Sequence, residues 1–133
     1  MNWGIDMHFN FKENYVEGTL QFDNIVIASN EEQGYRPYEL FVSSIAGCSG
    51  LVFKRILMKQ KTEFETFTID AEVERNKDKA NRIEKIILHF KIKGKDLNEK
   101  KLQRNLKISR KHCAMIQSIE NSIDVVERLS IDN

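Results

Sequence analysis

The chain has 133 residues, of which 41% are hydrophobic and 31% charged, and its formal net charge is +1. This length suits one domain with one core, and a composition with one proline and six glycines excludes long disorder. A net charge this small gives no general attraction to nucleic acid, and we expect no nucleic-acid partner.

The first ten residues contain Asp6 and no basic stretch ahead of an apolar one, so they do not resemble a secretory signal. We therefore expect a cytoplasmic protein, in which two cysteines normally stay as thiols. Residues 1–35 are predicted to form short strands, because apolar and polar side chains alternate along them. The predicted strands are residues 7–11, 15–22 and 25–28.

A long central helix is predicted over residues 36–61. Pro37 suits the first helical position, and Glu39 places a negative charge in the first turn. Apolar side chains recur at spacings of three and four and also fill the other faces, so we expect a helix that is buried on every side. The apolar stretch at residues 40–53 is too short and too polar to span a bilayer, and no membrane association is expected.

The rest of the chain is predicted to add a hairpin at residues 65–93 and then two helices and a final strand at residues 97–133. Gly94 ends the hairpin. Strands, a helix, a hairpin and further helices within one domain over residues 1–133 indicate an α+β fold rather than alternating βαβ units.

Cys48 lies in the predicted helix between Gly47 and Ser49-Gly50. Each glycine inside a helix costs about 1 kcal/mol relative to alanine, so these glycines need a reason. They either allow a neighbouring helix to pack closely or leave space for a small substrate above the thiol. The sequence does not distinguish these two interpretations.

Each cysteine taken singly is expected to be an inert buried thiol. Cys113 is the better candidate for reactivity, because Arg110, Lys111 and His112 precede it and positive charge favours a thiolate. The sequence has no Cys-x-x-Cys, no His-x-x-x-His and no glycine-rich phosphate loop, so we expect neither a metal nor a cofactor.

Charge is distributed unevenly along the chain. Residues 91–112 contain nine basic side chains against Asp96 and Glu99, whereas residues 1–40 contain seven acidic and two basic ones. No aromatic residues are interleaved with the basic ones, so a solvated helix face is the favoured interpretation. A docking surface for an acidic partner is the alternative.

Two segments resemble the cysteine motifs of the OsmC and organic hydroperoxide resistance (Ohr) family. In residues 36–48 a helix start with proline and glutamate leads, eleven residues after Pro37, to Cys48, and residues 108–113 resemble the second motif, which ends at Cys113. The resemblance implies an OsmC-like α+β fold, with antiparallel sheets wrapped around central long helices in an intertwined homodimer.

The resemblance also implies a thiol-dependent peroxidase that reduces organic hydroperoxides in oxidative stress defence. Cys48 would be the peroxidatic cysteine, which attacks the peroxide and becomes a sulfenic acid. Cys113 would be the resolving cysteine, which forms a disulfide with it, and a dithiol reductant would restore both thiols.

Two helper positions depart from the family's pattern. The family's glutamate directly follows the motif proline, where this chain has Tyr38. Glu39 lies nine residues before Cys48, about 180° around a straight helix, so we expect it to face away and to serve the helix terminus. The family's arginine comes from the N-terminal strands, but no arginine precedes Arg36, which becomes the candidate thiolate stabiliser, with Lys12 as a substitute. The alternative function is therefore a non-catalytic OsmC-like protein that binds a small apolar ligand between subunits.

Overall fold

The computed structural model describes residues 7–133. The chain divides after Phe41 into two compact units, and each unit contains its own three-stranded sheet.

The first unit holds an antiparallel sheet in the order β1-β2-β3. The first hairpin is closed by the Lys12 N–H, which donates to the Tyr15 carbonyl at 2.9 Å. The first two strands are shorter than predicted from the sequence, and the third has the predicted length but begins one residue earlier. They are β1 (His8–Phe11), β2 (Val16–Thr19) and β3 (Asn24–Ile27).

Helix α1 (Pro37–Lys59) begins in the first unit and continues through the second. The second unit then adds a sheet in the order β4-β5-β6 and two further helices. Its elements are β4 (Thr66–Asn76), β5 (Arg82–Lys93), α2 (Glu99–His112), α3 (Ala114–Ile119) and β6 (Asp124–Asp132). The α+β fold class predicted from the sequence is confirmed.

The second sheet differs from the expected antiparallel arrangement in its last strand. Strands β4 and β5 pair antiparallel, but β6 runs parallel to β5, with Lys85 opposite Asp124. A parallel pair needs a long crossover rather than a tight turn, and α2 and α3 provide that crossover. The sheet is therefore mixed.

Aromatic side chains fill the centre of the second unit. Phe53 of α1 and Phe90 of β5 are both 0% exposed, and their ring centroids lie 5.3 Å apart in an edge-to-face arrangement. Phe67 of β4 lies 5.4 Å from Phe53. Aromatic pairs in this geometry add to the stabilisation from burial, so α1 is held firmly against the sheet.

Within the single chain, α1 is buried on one side only. Phe53 and Leu57 are 0% exposed, whereas Leu51 and Met58 are 65% exposed. The sheet of the second unit covers one side of the helix, so the single chain does not by itself provide the burial on every side that the sequence predicts.

Helix α1 has 23 residues and, by length and composition alone, could also cross a membrane. The apolar stretch considered from the sequence, residues 40–53, is by itself too short and too polar to span a bilayer. A core helix passes the same test, and the packed side of α1 is that of a core helix.

The two glycines around Cys48 have different surroundings. A Cβ atom at Gly50 would lie 2.9 Å from the Ile69 Cδ1 atom of β4, so this glycine allows α1 to approach the sheet. A Cβ atom at Gly47 would meet nothing within 4 Å. Gly50 therefore serves close packing against a strand, whereas Gly47 is exposed and a side chain there would meet no neighbour.

Candidate active site

Two elements of the second unit position the two cysteines. Cys48 lies in the middle of α1 and is partly buried, while Cys113 joins α2 to α3 and is 0% exposed. The backbone at Cys113 is extended, and its N–H donates to the Arg110 carbonyl at 3.4 Å. This break between the helices directs the Cys113 side chain into the core.

The structure brings the two thiols together, although residues 49–112 separate them in sequence. Both cysteines are free, and the Cys113 thiol donates a hydrogen bond to the Cys48 sulfur. Cys48 also faces the backbone N–H groups of Ala114 and Met115 in the first turn of α3. Three donors therefore converge on one sulfur atom.

These donors make Cys48 the more acidic thiol. Burial by itself would raise the pKa of Cys48, but the N–H of Met115, the Cys113 thiol and the N–H of Ala114 stabilise the thiolate and together lower its pKa below the ordinary thiol value. A lowered pKa is the condition under which a cysteine is nucleophilic at neutral pH.

The pKa of Cys113 moves in the opposite direction. Burial raises it to about 11, against N–H donation from Ile116 and with a further upward contribution from the hydrogen bond to Cys48. Cys48 is therefore the thiol of the pair that loses its proton first, and Cys113 is the one that keeps its proton to higher pH.

Arg55 adds positive charge to the site and was not singled out from the sequence. Its guanidinium is a minor cause of the lowered pKa of Cys48. The sequence could have indicated Arg55, because it lies seven residues after Cys48 and therefore two turns along the same face of the helix.

Arg36 and Glu39 bind each other at the start of α1. The Glu39 Oε1 atom accepts hydrogen bonds of 3.2 Å from both the backbone N–H and the Nε of Arg36. The backbone contact is the glutamate half of a capping box, which satisfies an N–H at the helix terminus. The Arg36 guanidinium also lies 4.9 Å from the centre of the Tyr38 ring. A role for either charged residue toward Cys48 stays a prediction.

The cap makes a prediction for pH. The backbone N–H and the side chain of Arg36 lower the pKa of Glu39, so its contribution to stability is present above the unfolded-state pKa and is lost as pH falls through the folded-state pKa. We expect Glu39→Gln to melt below the wild type near neutral pH, and we expect the difference to shrink as the pH falls below the ordinary glutamate pKa. Calorimetry across this pH range measures the difference, with Glu13→Gln in the first hairpin turn as control. A difference that persists at low pH would contradict the prediction.

A buried charged cluster lies beside the thiols and has no clear signal in the sequence. It consists of Ser49, Glu127 and Arg110. The Ser49 Oγ donates to Glu127 Oε2 at 2.6 Å, and Arg110 Nη1 lies 3.7 Å from Glu127 Oε1. Burial raises the pKa of Glu127, against the effects of Ser49 and Arg110. Glu127 sits in a short strand of mixed polarity, where nothing in the pattern marks it as buried.

His8 and His89 lie on strands β1 and β5, whereas His112 directly precedes Cys113 at an exposed position. His89 binds Glu72 across β4 and β5 at 3.0 Å, and His8 is exposed on β1. Within residues 7–133, no group of three His, Cys, Asp or Glu side chains is placed to hold a metal ion.

The basic segment divides into two parts. On β5, Lys91 pairs with Asp70 at 2.7 Å and Lys93 with Glu65 at 3.9 Å, so carboxylates of or next to β4 balance that charge. On α2 the basic side chains at the surface are Lys100, Lys101, Arg104, Lys107 and Lys111. Their exposure is that of a solvated helix face, and the docking alternative stays a prediction.

Comparison with known proteins identifies a matching sequence family and solved structures with the same fold. The sequence model of a family described as OsmC-like protein matches residues 29–128. No curated protein sequence matches the chain.

Solved structures with the same fold include an OsmC-like protein from Mycoplasma pneumoniae, with a TM-score of 0.85, 13% identity and full coverage of both chains. A hypothetical protein from Aquifex aeolicus VF5 has a TM-score of 0.83 and 21% identity over 94% of this chain and 93% of its own. An organic hydroperoxide resistance protein OsmC from Legionella pneumophila has a TM-score of 0.73 and 20% identity over 93% of this chain and 94% of its own. The OsmC-like fold expected from the two cysteine motifs is confirmed.

Proposed function

Since this chain belongs to the OsmC-like protein family, we propose that it is a cytoplasmic, thiol-dependent peroxidase that reduces organic hydroperoxides through a cycle of Cys48 and Cys113. The observation that supports this most is the direct hydrogen bond between the two thiols, with the pKa lowered at Cys48 and raised at Cys113. Relatives of the same fold are named organic hydroperoxide resistance proteins.

In the first step the Cys48 thiolate attacks the terminal oxygen of the hydroperoxide. The O–O bond breaks, and the leaving alkoxide takes a proton and departs as an alcohol. Cys48 is oxidised to a sulfenic acid while the peroxide is reduced by two electrons. The N–H groups of Ala114 and Met115 hold the sulfur before the reaction.

In the second step the Cys113 sulfur attacks the Cys48 sulfur. Cys113 loses its proton, the S–O bond breaks, and the oxygen leaves as water while a disulfide forms. Burial is the main cause of the raised pKa of Cys113, and the Cys48 thiolate adds a smaller upward contribution. Conversion of Cys48 to a neutral sulfenic acid removes that smaller contribution and so favours deprotonation of Cys113. A dithiol reductant then exchanges with the disulfide, restores both thiols and is itself oxidised.

The test is a single turnover of the reduced wild type with one equivalent of cumene hydroperoxide, followed by peptide mass spectrometry. We expect a Cys48–Cys113 disulfide and one equivalent of alcohol. If both cysteines stay reduced, or react no faster than free cysteine in the same buffer, the peroxidase proposal fails. The non-catalytic alternative, in which a small apolar ligand binds between subunits, then gains.

We also propose that the protein is a homodimer in which the exposed face of α1 is covered by a second copy. Leu51 and Met58 are 65% exposed on this face, and large apolar side chains on a core helix need a partner. Light scattering at micromolar concentration should give about twice the chain mass of 15.6 kDa.

Leu51→Asp should dissociate the dimer, because it places a charge in the apolar contact. Ile108→Asp, a matched change at a 40% exposed position on α2, should leave the dimer intact. A wild type that is monomeric and folded would contradict the dimer proposal.

A further inference from the structure

The cluster of Ser49, Glu127 and Arg110 has no part in the steps above, and its burial needs an explanation. Ser49 directly follows Cys48 and is 0% exposed, and the side chain of Glu127 is only 5% exposed. Burying a carboxyl group is unfavourable unless other groups compensate it. Here a hydrogen bond of 2.6 Å from Ser49 and a guanidinium at 3.7 Å provide that compensation. Removal of Ser49 or of Arg110 would leave the buried Glu127 carboxyl group with one partner fewer.

The other end of the cluster reaches the backbone that carries Cys113. Arg110 Nη1 donates to the Val125 carbonyl of β6 at 2.7 Å, and Arg110 Nη2 donates to Glu120 at 3.3 Å. The Arg110 carbonyl accepts from the Cys113 N–H at 3.4 Å and from the Gln117 side chain at 3.1 Å. One continuous path of contacts therefore runs from the residue after Cys48, through β6, to the turn that places Cys113.

We propose that Glu127 and Arg110 are positioning residues for the thiol pair, which hold the Cys48 turn of α1 and the Arg110–Cys113 turn at a fixed separation. This separation keeps the Cys48 sulfur within reach of the N–H groups of Ala114 and Met115. This inference rests on the proposed peroxidase function, in which the geometry of the two thiols matters. Its first measurement, thiolate formation at Cys48, needs no peroxide.

The sign of one measurement separates positioning from a simple charge effect. If Glu127 acted only through its negative charge, its removal would stabilise a nearby thiolate and lower the pKa of Cys48. If it acts by positioning, its removal misaligns the donors and raises the pKa of Cys48. A purely structural role would lower the melting temperature and leave the pKa of Cys48 where it is.

The experiment measures the rate of iodoacetamide alkylation at Cys48 against pH in the full-length chain, resolved by peptide mass spectrometry. We expect the midpoint to rise by about half a pH unit or more in Glu127→Gln and in Ser49→Ala, since the hydrogen bonds to the thiolate weaken. The control is Glu84→Gln, which removes a carboxylate paired with Arg82 at 2.7 Å on β5. Its midpoint should equal that of the wild type.

The double variant Ser49→Ala/Glu127→Gln should shift the alkylation midpoint no further than the larger single change, because both substitutions remove the same Ser49–Glu127 hydrogen bond. An additive shift, an unchanged midpoint or a lowered midpoint in folded protein would overturn the proposal. Ser49→Ala deletes one oxygen atom, so it decides the question if Glu127→Gln does not fold.

A second readout is the rate at which the disulfide forms with one equivalent of cumene hydroperoxide, which should fall at least several-fold in both single variants. If the wild type forms no disulfide, the peroxidase proposal fails. The alkylation midpoints still decide the role of Glu127.

Discussion

Replacement of Cys48 by serine is expected to reduce the consumption of organic hydroperoxide, measured with a dithiol reductant in excess, on the order of a thousand-fold or more. The reason is that a hydroxyl at this position has no accessible anion, whereas the three donors around the Cys48 sulfur stabilise a thiolate. The peroxide would then meet only Cys113, whose thiol is 0% exposed and whose pKa burial raises to about 11.

Cys113→Ser is the matched control for this variant, since it changes the same atom in the partner cysteine. We expect its first reaction with hydroperoxide to proceed, because Cys48 and its two N–H donors remain. The product should be a sulfenic acid that dimedone traps and that excess peroxide over-oxidises. If Cys113→Ser instead cycles at the wild-type rate, the resolving role of Cys113 is wrong.

Phe53→Ala is expected to destabilise the fold by about 3–5 kcal/mol, a large fraction of the stability of a domain this size. Phe53 is 0% exposed and contacts the rings of Phe67 and Phe90, so the deletion leaves a cavity between α1 and the sheet. Chemical denaturation monitored by circular dichroism measures the loss.

Phe53→Leu fills most of the same volume and is expected to lose no more than about 1.5 kcal/mol. If both variants lose the same small amount, the packing of α1 on the sheet is looser than the structure shows. Neither change touches Cys48 or its donors, so the alkylation midpoint of Cys48 should stay constant in whatever fraction remains folded.

Much of the fold follows from local patterns in the sequence. Alternation marked the strands of both sheets, and Pro37 marked the start of the long helix. The direction of β6 did not follow, because the residues of a strand do not by themselves indicate which neighbour it pairs with or in which direction. Its parallel register with β5 depends on the length of the α2 and α3 crossover.

The residues of the candidate site also fall into some that the sequence indicates and some that it does not. The two cysteines came from their motifs, and the structure places their thiols in contact. Glu127 was missed because burial of a charged side chain is a tertiary property, set here by Ser49 and Arg110 from two distant segments. The apolar composition of α1 indicates that the whole helix needs to be covered, but it does not tell which side the same chain covers; the structure leaves Leu51 and Met58 exposed.

The parallel pairing of β5 with β6 also bears on how fast the protein folds. Each residue of β5 finds its partner about 40 positions further along the chain, so this half of the sheet has a high contact order. The entropy cost of closing the loop between β5 and β6 comes before any stabilisation from their pairing, whereas the β4–β5 hairpin forms between segments that are close in sequence. Glu127 lies on β6, so a nascent chain in which α1, the hairpin and even Cys113 are already present still lacks the contacts of Ser49 and Arg110 with it. Until the last strand docks, the proposed link from Ser49 through Glu127 to Arg110 is absent, so the separation of the Cys48 and Cys113 turns is set only when β6 pairs with β5.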